Sequence, residues 1–301
     1  MEKFYRIAGI DICVSADASI MYETDGDLTA FAVPSSASPF RYHFQIVPTL
    51  PEAEGELVAQ VPGVMEYRGE GGIMRYLGAV SESLEHADMC VWYRGGGAEV
   101  YLCEKTYHTL RAGIVLDAIG AERLIVRNHG VILHASYIDY RGVGILFTAP
   151  SGTGKSTQAA LWRDYRGAEE INGDRAVIQY YDGQVKVCGL PYAGSSGICR
   201  NRTLPLAALV YLEQGESNSI TKLSGFTAFR KIWEGCCLNT WDRDDVVLAS
   251  ETVERVIFQT PVLLLRCLPD ESAVEALESV LAAERRFLPQ FEKESEKESE
   301  K

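Results

Sequence analysis

Along the first hundred residues, apolar and polar positions alternate with a period of two, in short runs broken by glycines. Tyr5 to Val14, Arg41 to Val47, Val64 to Arg68, Ile73 to Leu77 and Val91 to Tyr93 predict short strands. Gly71-Gly72 and Gly95-Gly96-Gly97 supply the turns between them. From Thr106 to Ile119 the spacing changes, with Leu110, Ile114, Val115 and Ala118 at helical intervals and Gly120 as the stop. Leu124 to Val126 reads as a strand. Gly130 to Tyr137 and Gly142 to Thr148 are two apolar runs of one hairpin, joined through Ile138-Asp139-Tyr140-Arg141.

Further on, Gln158 to Trp162 are helix formers, and Ala176 to Tyr181 and Gln184 to Val187 are strands around the Asp182-Gly183 turn. Tyr192 to Asn201 is a loop rich in glycine and serine. Ala207 to Leu212 and Pro261 to Arg266 read as buried strands, Gly225 to Trp233 as a helix, and Asp270 as the cap of a helix from Glu271 to about Leu281. Glu292 to Lys301 is a charged repeat too polar to fold alone. The pattern predicts an α/β protein: a β-rich N-terminal lobe (1–104), a core with a mixed sheet (105–287) and a charged tail (288–301).

One stretch carries chemistry. The run Gly144 to Thr148 leads into Ala149-Pro150-Ser151-Gly152-Thr153-Gly154-Lys155-Ser156-Thr157 and then into the helix formers. Strand, glycine-rich turn and helix start form the context of a P-loop. Gly152 and Gly154 let the backbone aim successive N–H groups at one anion, and the helix dipole adds to them. Ser151 through Thr157 would then cradle phosphates, with Lys155 on the β- and γ-phosphates and the Ser156 hydroxyl on Mg²⁺. The strict motif has Gly where this chain has Ala149.

Composition narrows the partners. The 301 residues are 47% hydrophobic and 24% charged, with a formal net charge of −13. So acidic a chain argues against nucleic acid and anionic membranes, which need basic patches. The eight cysteines contain no C-x-x-C pair, and reduced thiols are expected. The first twenty residues show no signal peptide, and no apolar run approaches a membrane span. A cytoplasmic location is expected by elimination, and a homo-oligomer is left open.

The order of motifs resembles HPr kinase/phosphorylase over roughly Val131 to Arg202. His134 stands fifteen positions before Ala149 on a hairpin that ends in an SGxGKS loop, and a short Asp-Arg segment, Asp174-Arg175, opens the next strand. That family shares its P-loop core with ATP-dependent phosphoenolpyruvate carboxykinase, whose loop also carries the SGTGK run of Ser151 to Lys155. The resemblance makes Gly152 to Thr157 the triphosphate cradle. It matches His134 to the active-site histidine and Asp174 to the second member of an Asp-Asp pair linked to metal binding and activation of the acceptor hydroxyl. Gly173 stands where the first Asp of that pair would be, and the family's second signature has only a loose echo in Gly194 to Asn201.

The activity expected is phosphoryl transfer from ATP–Mg²⁺ to an acceptor hydroxyl on a protein serine, a peptide or a small metabolite. Lys155, Asp174 and His134 carry the catalytic work, Ser156 and Asp174 hold the metal, and Arg200 is a candidate for neutralising the moving phosphoryl group. Arg175 and Arg202 are in a similar position, whereas His108 and His129 lack support. Trp241-Asp242-Arg243-Asp244-Asp245 reads as a solvated turn rather than a metal cluster. The alternatives are a nucleotide-binding regulatory module without turnover and a carboxykinase reaction.

Overall fold

The computed structural model describes residues 2–17, 20–22, 28–79, 87–106, 109–110 and 112–284. His108 and the charged tail lie outside them. The chain divides into two compact units at Leu124/Ile125, downstream of the boundary expected near residue 104. Its architecture is α/β with mixed sheets.

Among the described residues, the first unit is built on a nine-stranded sheet. Tyr5 to Val14 is not one strand but two, Glu2–Ile7 and Ile10–Ala16, because Ala8 and Gly9 both take positive φ and make a tight hairpin. Phe40–Val47 pairs parallel with both Ile10–Ala16 and Gly97–Cys103, and the strands from Glu56–Val61 to Gly97–Cys103 form an antiparallel meander. Glu66 and Arg75 face each other across that meander, buried, with Arg75 Nη2 donating to Glu66 Oε2 at 2.7 Å. The helix Ala112–Ile119 also belongs to this unit, its last turn accepting from Tyr93 Oη at Ala118 O.

In the second unit the strand pairing runs round a closed circuit. Gly130–Tyr140 lies between Val143–Thr148 and Arg175–Tyr181. The latter continues through Gln184–Gly189 and Thr203–Gln214 back to Val143–Thr148. Val262–Cys267 and the edge strand Ser219–Leu223 extend it. Val143–Thr148, Thr203–Gln214 and Val262–Cys267 are mutually parallel, so their carboxyl ends point the same way.

Both faces are covered, which is why these strands read as apolar runs. Val143, Ile145 and Phe147 pack with Trp162 of the helix Lys155–Arg166 and with Val274 and Leu277 of the helix Glu271–Ala283. Leu146 faces the other way, toward Ile232 of the helix Gly225–Trp233 and Val253 of the helix Arg243–Gln259. Trp162 is fully buried, edge-on to Tyr140 with ring centroids 5.0 Å apart. Among the described residues no helix is long and apolar enough to cross a membrane. The eight cysteines, all among the described residues, stand outside any disulfide.

Two further expectations are corrected. Leu124 to Val126 lies in a short helix, Ala121–Val126, that restarts after Gly120; three apolar residues have no period of their own, and the helical neighbours win. The acidic cluster at 242–245 is not a solvated turn. Asp242 is buried and caps the helix Arg243–Gln259, accepting from the amides of Asp244 and Asp245, while Arg127 Nε donates to buried Asp245 at 2.8 Å. Asp242→Ala is therefore expected to lower unfolding free energy by about 1–3 kcal/mol, because the cap is lost and Arg127, whose Nη2 lies 3.6 Å from Asp242 Oδ2, loses a counter-charge. Urea unfolding checks this through a lower midpoint at unchanged slope.

Candidate functional site

The strand Val143–Thr148 is buried throughout, and the chain then turns outward through Ala149–Gly154 into the helix Lys155–Arg166. Gly152 and Gly154 hold φ of 78° and 113°, values that a side chain would strain. Gly154 is the N-cap and offers no side chain to the first helical amides; the first helical bond is Gln158 N to Gly154 O. The amides at the start of the helix are thereby left to solvent or to an anion, at the positive end of the dipole.

Lys155 is the first helical residue and is buried. Its Nζ donates back into the loop, to Ala149 O at 3.0 Å and Pro150 O at 3.4 Å. Burial pushes its ammonium below the usual range, and Asp174 pulls it back up. Ser151, Ser156 and Thr157 are exposed, and Thr153 is half-buried.

His134 sits beside the loop because of strand register. Ala135 is paired with Thr148, the last residue of the strand that feeds the loop, and Thr148 Oγ1 donates to His134 O at 3.0 Å. On the opposite edge His134 is paired with Arg175, and Ala135 N donates to Asp174 O. His134 Nε2 then lies 3.4 Å from Asp174 Oδ1. Burial first, and then the charges of Lys155 and Arg175, push the imidazole below its ordinary value, with Asp174 opposing them. The structure therefore brings together the loop, Lys155, Asp174 and His134.

Asp174 is held by residues that sequence reasoning missed. Buried Asn172 accepts from the amides of both Asp174 and Arg175 at 2.9 Å, and its own amide donates to Leu190 O and Tyr192 O. One side chain thus fixes the turn at Asp174 to the loop after Leu190. The signal was present in Asn172-Gly173-Asp174, an Asx-turn sequence. Arg175 lies over the Tyr192 ring, 4.1 Å from its centroid, and 3.4 Å from Asp174. Arg200 is engaged elsewhere, donating to Glu170 O and lying 3.2 Å from Glu169; Arg202 is bound to Asp139 at 2.7 Å.

Gly173 has a steric reason to be glycine. A Cβ there would overlap the Ser196 side chain and stand 3.1 Å from the buried carboxylate of Glu170. An aspartate at 173 would meet both a clash and a like charge. Gly194 is packed in the same way against the side chain of Asp174.

Beside the loop is a cleft of about 370 Å³. Gly152–Gly154, Thr157 and Gln158 line one side, and the ends of the strands Thr203–Gln214 and Val262–Cys267 line the other. Crevices at the carboxyl ends of parallel strands are where open α/β sheets bind ligands. Among the described residues, no three His, Cys, Asp or Glu side chains come together as a metal site.

No protein-family model matches this chain, and no curated protein matches it. Among solved structures, the chain is similar to the Hpr(Ser) kinase/phosphatase from Coxiella burnetii, with 14% identity and a TM-score of 0.31. The match covers 56% of this chain and 96% of that one. At that score no residue correspondence carries over, and the chemistry of the site rests on its own geometry.

Two outcomes follow. Gly173→Ala is expected to lower stability by about 1–3 kcal/mol through overpacking, with Ser196→Gly in the same chain recovering part of the loss; equal melting temperatures for Gly173→Ala and the parent would mean that the loop yields freely. His134 should titrate below about 6.5. Lys155→Met should raise that value and Asp174→Asn lower it further, as read from imidazole proton shifts in NMR. Because the folded value is depressed, stability linked to His134 is complete above the unfolded value and is lost as pH falls through the folded one.

Proposed function

We propose that this chain binds a nucleoside triphosphate with Mg²⁺ at Ser151 to Thr157, as a P-loop within an HPr kinase-like core, and transfers the γ-phosphoryl group to an acceptor hydroxyl. One observation carries the reading: an uncapped helix start, its first-residue lysine, a carboxylate whose charge acts on that lysine, and an imidazole beside that carboxylate all converge on one point. Phosphoryl transfer asks for little else, since catalysis there is mostly positioning and electrostatic stabilisation.

The residues divide the work as follows. Lys155 exchanges its bonds to Ala149 O and Pro150 O for phosphate oxygens, keeping the ammonium hydrogen-bonded throughout. The exposed Ser156 hydroxyl and Asp174 would hold Mg²⁺. A donor set this small suits an ion that keeps most of its shell from phosphates and water. When bound, the ion neutralises charge developing on the β- and γ-oxygens. His134, kept neutral by burial and neighbouring cations, is the group able to take the acceptor proton; its Nε2 is turned to Asp174, which orients the ring, so Nδ1 is the nitrogen left to receive that proton. This frees Asp174 from serving as metal ligand and base at once. Arg200 would have to leave Glu169 to reach a phosphoryl group.

A second reading is a nucleotide-binding regulatory module without turnover. It is favoured by the packing of Gly173 against Ser196, which excludes a second carboxylate. ATP consumption with a panel of hydroxyl acceptors separates the two: release of ADP that depends on an acceptor supports the kinase, and tight binding without release supports the module. Lys155→Ala should abolish nucleotide binding, measured by calorimetry. Asp174→Asn should bind nucleotide while transfer falls by about 10²–10⁴-fold; normal transfer in that variant would remove Asp174 from the chemistry.

A further inference from the structure

Gln158 is the fourth residue of the helix, one turn beyond Lys155 on the same side. It lines the cleft beside the loop, yet it is only 2% exposed. Its Nε2 donates to Cys267 Sγ at 3.3 Å, and its Oε1 is buried without a hydrogen-bond partner. Buried polar atoms are nearly always satisfied, so an acceptor left without a donor at the wall of a cleft calls for a ligand. The cleft falls within the roughly 300–1,000 Å³ of small-molecule sites. The carboxylate in its lining, Glu213, is neutralised by Arg266 at 2.9 Å and Lys231 at 3.4 Å, so it does not repel an anionic ligand.

We propose that this cleft receives the base of the nucleotide and that Gln158 reads it, with adenine as the base that fits. The proposal rests on the phosphate reading of the loop given above and adds a specificity residue to it. Adenine offers an N–H donor at its exocyclic amine and an acceptor at N7, the complement of a glutamine amide. It would supply the donor that Oε1 lacks. Guanine sets its O6 acceptor against the same oxygen. Cys267, half-buried beside the amide, gives the base a polarizable neighbour and marks the site chemically.

Calorimetry with Mg–ATP, Mg–GTP and Mg–tripolyphosphate tests this on the full chain, on Gln158→Leu and on Lys155→Ala. The parent should bind ATP at least tenfold more tightly than GTP or tripolyphosphate, and Gln158→Leu should shrink the ATP-to-tripolyphosphate ratio at least tenfold. Lys155→Ala should lose all three. ATP should also slow alkylation of Cys267, followed by peptide mass spectrometry, while tripolyphosphate should not; this readout needs no variant. GTP binding as tightly as ATP, an unchanged ratio in folded Gln158→Leu, or tripolyphosphate binding without ATP protection of Cys267 would overturn the base assignment alone. Binding of none of the three to the parent would overturn the loop reading together with it.

Discussion

The strand Gly130–Tyr140 has two edges, and the site depends on what each edge holds at residues 134 and 135. One edge fixes Thr148, where the chain leaves the sheet for the glycine-rich loop; the other fixes Asp174 and Arg175. Adjacent strands lie about 4.8 Å apart, so the two flanking backbones stand roughly 10 Å from each other. His134 projects from the strand between them. Backbone hydrogen bonds at a buried position thereby set the separation of the glycine-rich turn from a carboxylate, and no side-chain contact has to do so.

How much of this was legible in the sequence depends on how local each feature is. The hairpin into the loop, the turn at Asp182-Gly183, the helix Gly225–Trp233 and the capped helix after Asp270 follow from residues within a few positions of one another. The hairpin's turn, expected at 138–141, lies instead at Arg141-Gly142 because the first strand runs on to Tyr140. The convergence of His134 and Asp174 on the loop could be read only as spacing. The helix Arg243–Gln259 was hidden because an N-cap aspartate followed by more acids reads equally well as a solvated turn. The edge strand Ser219–Leu223, polar and short, offered no pattern at all. Gly173 and Ser196 are neighbours only after folding, so the reason for that glycine was invisible, as was the burial of Gln158 against Cys267.

The charge of the whole chain and the charge of the site oppose each other. A net charge of −13 repels a polyphosphate at a distance. Close to the loop, the helix amides, Lys155 and Arg175 put positive charge beside Asp174. Added salt screens the long-range repulsion within about 10 Å and touches the buried contacts far less.

Gly194 is the feature with the widest reach. A Cβ added there would stand 2.6 Å from the Cβ of Asp174, and the glycine's φ of 55° is one that other residues resist. A single methyl group at this position would press on the carboxylate from above. Position 194 thus couples the loop to Asp174: any side chain there would force either the loop or the carboxylate to shift.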